Sequence, residues 1–409
     1  MSILYRLVPF VLSILLISSC ASSMQGISVS EDGPFRDISH GLPNTGLWRH
    51  SIVVFDIDKD GILDIIAPPP RKAPEGQRRP FIFSYIESEQ RWKESQLYRF
   101  PLSDKYNYGG IAVGDINKDG RYDLVLANHE NTIVCLINDG KGSFEINYPV
   151  NEPFRSRTVL IDDINGDGLV DIIALSEFYN PNLKDLKTGI MVGINENGSF
   201  SVNFVEESSG IFGDSLAVGD INGDGKRDII IAPLTGIKEQ KKAIWLNEGN
   251  GVFKPFKKDL FTDKEIPFFV RVGDIDGDGR DEMVFKISPL GAFGSPYLKA
   301  FRFTNDNIED ISKGLEDIKD VGVFDLADID NDGIHELSVL TKEAITLYKY
   351  IQGKWIKIDE YRIKVNDLNA VYDLKVARQR DGSVIFVYNL ASDDLKDNGI
   401  RAHRVMRKR

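Results

Sequence analysis

Residues 56–64 read Asp56-Ile57-Asp58-Lys59-Asp60-Gly61-Ile62-Leu63-Asp64, and the same arrangement of oxygen donors around a glycine returns five more times along the chain. The copies are Asp115, Asn117, Asp119 and Asp123; Asp163, Asn165, Asp167 and Asp171; Asp220, Asn222, Asp224 and Asp228; Asp274, Asp276, Asp278 and Glu282; and Asp328, Asp330, Asp332 and Glu336. Successive first aspartates are 59, 48, 57, 54 and 54 residues apart, a period that fits one supersecondary unit per copy. Donors at positions one, three and five converge on a single point only where the chain turns sharply behind them. The glycine at position six permits that turn because it tolerates positive φ. Position seven varies from Ile62 to Arg121 to Leu169, as fits a site that takes the backbone carbonyl there, and position nine restores a carboxylate in every copy.

A helix-loop-helix calcium hand would need a bidentate acid at position twelve, where this chain has Ala67, Leu126, Ala174, Ile231, Phe285 and Val339, so that reading is excluded. The flanks are strand-like: Ser51-Ile52-Val53-Val54-Phe55 precedes the first loop and Asp64-Ile65-Ile66-Ala67 follows, which makes each loop the tip of a tight hairpin. A single copy would pass equally well for an Asp/Gly-rich turn, whereas six in phase point to a shared cation site. After each loop come a second strand, a third ending in a turn such as Asn138-Asp139-Gly140-Lys141-Gly142, and a fourth, and four strands per repeat make a propeller blade.

These residues resemble the FG-GAP and VCBS repeats of the integrin-alpha-type β-propeller, over nearly the whole mature chain. The resemblance implies that each loop joins the first two strands of a blade and holds calcium, about six ions in all, and it implies nothing about the ligand. The expected fold is therefore all-β, a seven-bladed β-propeller with calcium-binding loops in six blades, because the mature length divided by the spacing is close to seven. In the seventh repeat Val371-Tyr372-Asp373-Leu374 parallels Val323-Phe324-Asp325-Leu326, but Val376, Arg378 and Arg380 stand where acids should be. This repeat stops after a third strand, Gly399 to Met406, and Phe35-Arg36-Asp37-Ile38-Ser39 resembles the fourth strand Ile308-Glu309-Asp310-Ile311-Ser312. The two termini are thus expected to pair and close residues 32–409 into one domain.

The 409 residues carry 62 acidic and 50 basic side chains, a net charge of −12 that opposes a nucleic-acid partner. Six divalent ions would cancel it, so the acidity is read as belonging to the metal loops. At the amino terminus, Arg6 and the apolar run Leu7 to Ile17 are too short for a permanent span. Ile17-Ser18-Ser19-Cys20 matches the bacterial lipobox, and the resemblance implies a signal peptide over residues 1–19, lipidation of Cys20 and a flexible tether to residue 31. Ala21 in place of the inner-membrane retention aspartate favours the outer membrane, with contact to the membrane through the lipid alone. Cys135 lies in an apolar strand and reads as an inert buried thiol.

If the loops mark one face of the ring, residues six or seven positions before each first aspartate lie on the other, around the central funnel. His50, Tyr108, Arg157 and Asp214 hold those positions, and long connections bring Arg71, Arg78 and Tyr179 to the same face, with His129 beside them. A cationic face with aromatic surfaces suits an anionic glycan or an acidic protein segment. No nucleophile elbow, phosphate loop or zinc spacing occurs, and no catalytic residue is assigned. The expectation is a lipid-anchored, calcium-binding propeller of the bacterial envelope that binds a protein or glycan. The alternatives are a polysaccharide lyase using His50, Tyr108 and Arg157 as base, acid and clamp, or a structural subunit of an envelope assembly.

Overall fold

The computed structural model describes residues 35–74, 78–150, 154–180, 182–183, 185–234, 242–289, 294–393 and 398–406. The signal peptide, Cys20 and the tether lie outside the described residues. The strands form seven four-stranded antiparallel sheets. In the first six, each acidic loop joins the first strand to the second: Val53–Phe55 to Asp64–Ala67 in blade one, Ile111–Gly114 to Asp123–Leu126 in blade two, and Ser156–Asp162 to Asp171–Ser176 in blade three. Blades four to six repeat this with Leu216–Gly219 and Asp228–Ile231, Glu265–Gly273 and Glu282–Pro289, and Val323–Ala327 and Glu336–Leu340.

The first strand of every blade packs against the first strand of the next, and that of the seventh, Val371–Arg378, packs against Val53–Phe55, which closes the ring. The apolar side chains form seven clusters, each shared by two adjacent blades. Between blades seven and one, for example, Ile385, Val387 and Ile400 meet Ile65, Phe83 and the fully buried Trp92. A sheet covered on both faces explains why strands such as Asp123–Leu126 are buried throughout and read as unbroken apolar runs.

Blade seven is built from Val371–Arg378, Val384–Ala391, Asn398–Val405 and, at its outer edge, the amino-terminal Phe35–Asp37. The register is Phe35 to Val405, Arg36 to Arg404 and Asp37 to His403. Phe35 stacks on Tyr361 at 4.9 Å and on His403 at 5.0 Å, which ties this edge to blade six as well. In place of an acidic loop, Arg378 donates to the carbonyl of Ile329 in the loop of blade six at 3.0 Å. Cys135 is buried, and burial pushes its thiol pKa up, as an inert core position requires.

Candidate functional site

The six loops fold alike. In each, one oxygen of the first aspartate accepts the N–H of the position-six glycine, from Gly61 to Asp56 at 2.9 Å through to Gly333 to Asp328 at 2.9 Å. The position-five aspartate accepts the N–H of position seven, as Asp60 does from Ile62 at 2.7 Å. One oxygen of the position-nine acid accepts the N–H of position two, as Asp123 does from Ile116 at 2.9 Å. The glycine stands at φ between 81° and 90° in all six loops. Position four is also left-handed, as Gly166, Gly223 and Gly277 but equally as Lys59, Lys118 and Asn331.

Beside these backbone contacts, carboxylate oxygens converge on a common point in loops one, five and six. Three loops bring three carboxylates to within 4.8 Å of one another: Asp56, Asp58 and Asp64; Asp274, Asp276 and Glu282; and Asp328, Asp330 and Asp332. Such groups can hold a metal ion, and the donors are the hard oxygens that suit a hard cation. In loop one Oδ1 of Asp56 is buried and receives no hydrogen bond, as a group reserved for a ligand would be. Burial pushes the position-nine acids up: Asp64, Asp228 and Glu282 to about 7, Asp123 and Asp171 to about 6, with Glu336 also raised.

A native pKa above the unfolded one means that the native state binds more protons, so metal-free protein loses stability as pH rises. That stability is complete below about pH 4 and falls away towards about pH 7. Melting curves in chelator at pH 5 and pH 8 are expected to place the melting temperature higher at pH 5. A flat profile would contradict the buried, repelling carboxylates.

On the opposite face the residues that lead into the first strands gather at a funnel of about 370 Å³, lined among others by His50, Asp214, Phe268, Arg271, Lys286 and Tyr372. His50 is held at φ +65° while its carbonyl accepts from Asn389 Nδ2 at 2.7 Å. Its ring stacks on Tyr108 at 5.6 Å and meets Tyr372 edge-on at 6.1 Å. Burial, then the charge of Arg157, holds its pKa well below the usual imidazole range, and its Nε2 is buried without a partner. Tyr108 also meets the ring of His129 at 4.5 Å, and His129 Nδ1 lies 2.7 Å from Glu177 Oε2. Arg157 pairs with both Glu177 at 3.3 Å and Asp214 at 3.2 Å. At the rim Arg49, Arg71 and Lys72 share one exposed carboxylate, Asp393, at 3.2, 3.9 and 3.9 Å.

The FG-GAP-like repeat family matches residues 115–174 and 220–285, which contain loops two to five. The chain carries FG-GAP-like repeats. It is 23% identical over 295 residues to the lambda-carrageenase of Pseudoalteromonas carrageenovora, covering 68% of this chain and 28% of that protein. To a T-cell immunomodulatory protein homolog of Plasmodium yoelii yoelii it is 23% identical over 236 residues, covering 48% of this chain and 33% of that one. The chain thus spans a third or less of the length of these relatives. Among solved structures it superposes on an Agrocybe aegerita lectin that recognises non-reducing terminal N-acetylglucosamine, with a TM-score of 0.50, 18% identity and coverage of 78% of this chain and 81% of the lectin. The Dos1 propeller gives a TM-score of 0.51 at 8% identity, covering 91% of this chain and 94% of that one. These likenesses establish the propeller fold.

Within the FG-GAP-like framework, then, His50, Arg71, Tyr108, His129, Arg157 and Asp214 come together. Arg78 instead turns back on its own loop, its Nε donating to the Ala73 carbonyl at 3.1 Å, and Tyr179 stands exposed on the loop of blade three. Sequence reasoning missed Glu177, the buried carboxylate that both His129 and Arg157 reach. A signal existed, because Glu177 ends the apolar run Ile172 to Ser176, where an unpaired acid would be costly. It also missed Arg271, which crosses from blade five to pair with Asp325 of blade six at 3.0 Å and Asp373 of blade seven at 2.6 Å. Lys286 lies beside them in the funnel, and burial pushes its pKa down to about 8. No spacing pattern announces these groups, since each partner comes from a different repeat.

Proposed function

We propose that this chain is a calcium-stabilised, lipid-anchored propeller of the cell envelope that binds an anionic glycan in its funnel. The observation that carries the ligand class is the rim, where three cations share the one carboxylate of Asp393 and leave an excess of donors at the mouth. Below them His50, Tyr108 and Tyr372 offer aromatic surface and a buried nitrogen without a partner, the mixture of apolar walls and few polar groups common in ligand clefts. The carrageenase relative is named for a polysaccharide, which accords with this reading. Calcium in the loops rests on the clustered hard donors and the free Asp56 oxygen, and the lipid anchor on the Cys20 lipobox.

Titration of the full chain in millimolar calcium against sulfated and uronate polysaccharides, with neutral ones as controls, tests the reading. Binding is expected only to the anionic set. Arg71→Ala, at the partly exposed rim, is expected to weaken it about 10-fold, or about 1.4 kcal/mol, without altering the melting temperature. Equal binding of neutral chains, or none of either, would overturn it.

A second reading is favoured by one geometric fact: His129 is oriented by the buried Glu177 and lies against Tyr108, an arrangement able to move protons on a bound sugar. It predicts new chain ends on incubation with polysaccharide, abolished by His129→Ala.

A further inference from the structure

The six loops divide into two classes once the third strand of each blade is considered. Registers such as Ile65 to Phe83 in blade one and Met283 to Phe301 in blade five, continued by one residue, place a cross-strand neighbour opposite position nine. Those neighbours are Ser84, Ile137, Ile194 and Leu246 in blades one to four, and Arg302 and Lys349 in blades five and six. Position nine changes with them: it is aspartate opposite the four neutral residues and glutamate opposite the two bases.

The contacts follow this division. In loops two to four the second oxygen of the position-nine aspartate accepts a neutral backbone N–H, from Asn138, Asn195 and Asn247, each at 2.8 Å. In loop five Arg302 Nε lies 3.0 Å from Glu282 and its Nη2 pairs with Asp276, two of the three clustered acids. Arg280 pairs with the remaining Asp278, a position-seven contact that Arg121 makes with Asp119 in loop two and Lys226 with Asp224 in loop four, so it is the base on the position-nine acid that sets loops five and six apart. In loop six Lys349 Nζ lies 2.5 Å from Asp332, 2.8 Å from Glu336 and 3.3 Å from Asp330. Among the described residues no base pairs with the four acids of loop one. The extra methylene of glutamate extends the carboxylate towards the base, and each base takes up oxygens that a divalent ion would need.

We propose that Arg302 and Lys349 act as the resident cations of loops five and six, so that metal is taken up by loops one to four alone. This rests on the calcium reading of the loops and proposes four ions where the sequence led to an expectation of about six. A calcium ion entering either of the last two loops would have to displace a side chain of the same sign of charge, which is held by two or three carboxylates and only partly exposed. Blades five and six thereby carry their own neutralisation.

Native mass spectrometry of the full chain at saturating calcium counts the ions. Four are expected. Arg302→Met and Lys349→Met are each expected to raise the count by one, and Arg302→Lys to leave it at four. Asp276→Asn and Asp330→Asn are expected to leave four ions, whereas Asp58→Asn leaves three, so the assignment is testable even where a base variant fails to fold. Six ions in the unmodified chain, or loss of one on Asp276→Asn, would overturn the proposal while keeping calcium in the loops. No ions at all would overturn both.

Discussion

Replacing Asp373 with alanine is expected to lower the unfolding free energy by about 3–5 kcal/mol, the range for breaking a buried ion pair by removing one partner. Its side chain is 1% exposed and receives Arg271 Nη2 at 2.6 Å, with Lys375 at 3.6 Å and the backbone N–H of Ile52 at 3.2 Å. Those partners come from blades five, seven and one, and Arg271 also holds Asp325 of blade six, so one carboxylate ties four blades across the centre of the ring. Burial pushes its pKa up, with Lys375 and Arg271 opposing, which measures how far it is removed from water. Without it Arg271 keeps Asp325 as its one carboxylate partner among the described residues, and the Ile52 N–H loses its acceptor. A chemical denaturation midpoint checks the figure; a change below about 1 kcal/mol would mean that the network is no tie.

Chelation is expected to produce the other large change. Sites of about 10⁻⁴ M affinity, the tighter end for extracellular calcium modules, each stabilise by about 1.4 kcal/mol at about 1 mM calcium. Over loops one to four this sums to about 6 kcal/mol, enough to lower the melting temperature of a chain this size by about 7 °C. The fall should be reversed by added calcium and reduced in Asp58→Asn, because loop one has no compensating base among the described residues. A melting temperature indifferent to chelator would contradict metal in the loops.

These expectations draw on different levels of the molecule. The repeat and the propeller were legible in the sequence because the loop chemistry is local: donors two residues apart, a left-handed glycine and a returning acid lie within nine residues, so Asp56 to Asp64 declares itself without reference to the rest of the chain. The position-four conformation was harder to read, since glycine serves in three loops and Lys59, Lys118 and Asn331 adopt the same φ in the others. The funnel was legible by counting back along the first strands, which found His50, Tyr108, Arg157 and Asp214 but not Arg49 or Tyr372, which share that mouth.

What the sequence by itself determined is therefore the unit: its length, its four strands, its acidic hairpin and the number of copies, all set by turn geometry and by burial on both faces of a strand. Which blade stands beside which, and so which charges meet, was decided by closure of the ring. Arg271 finds Asp373 across 102 residues of chain, and His129 finds Glu177 across 48. Arg302 and Lys349 meet their glutamates only through strand register. Pairings of that kind obey Coulomb attraction in a dry interior, which depends on distance in space and leaves no period along the chain.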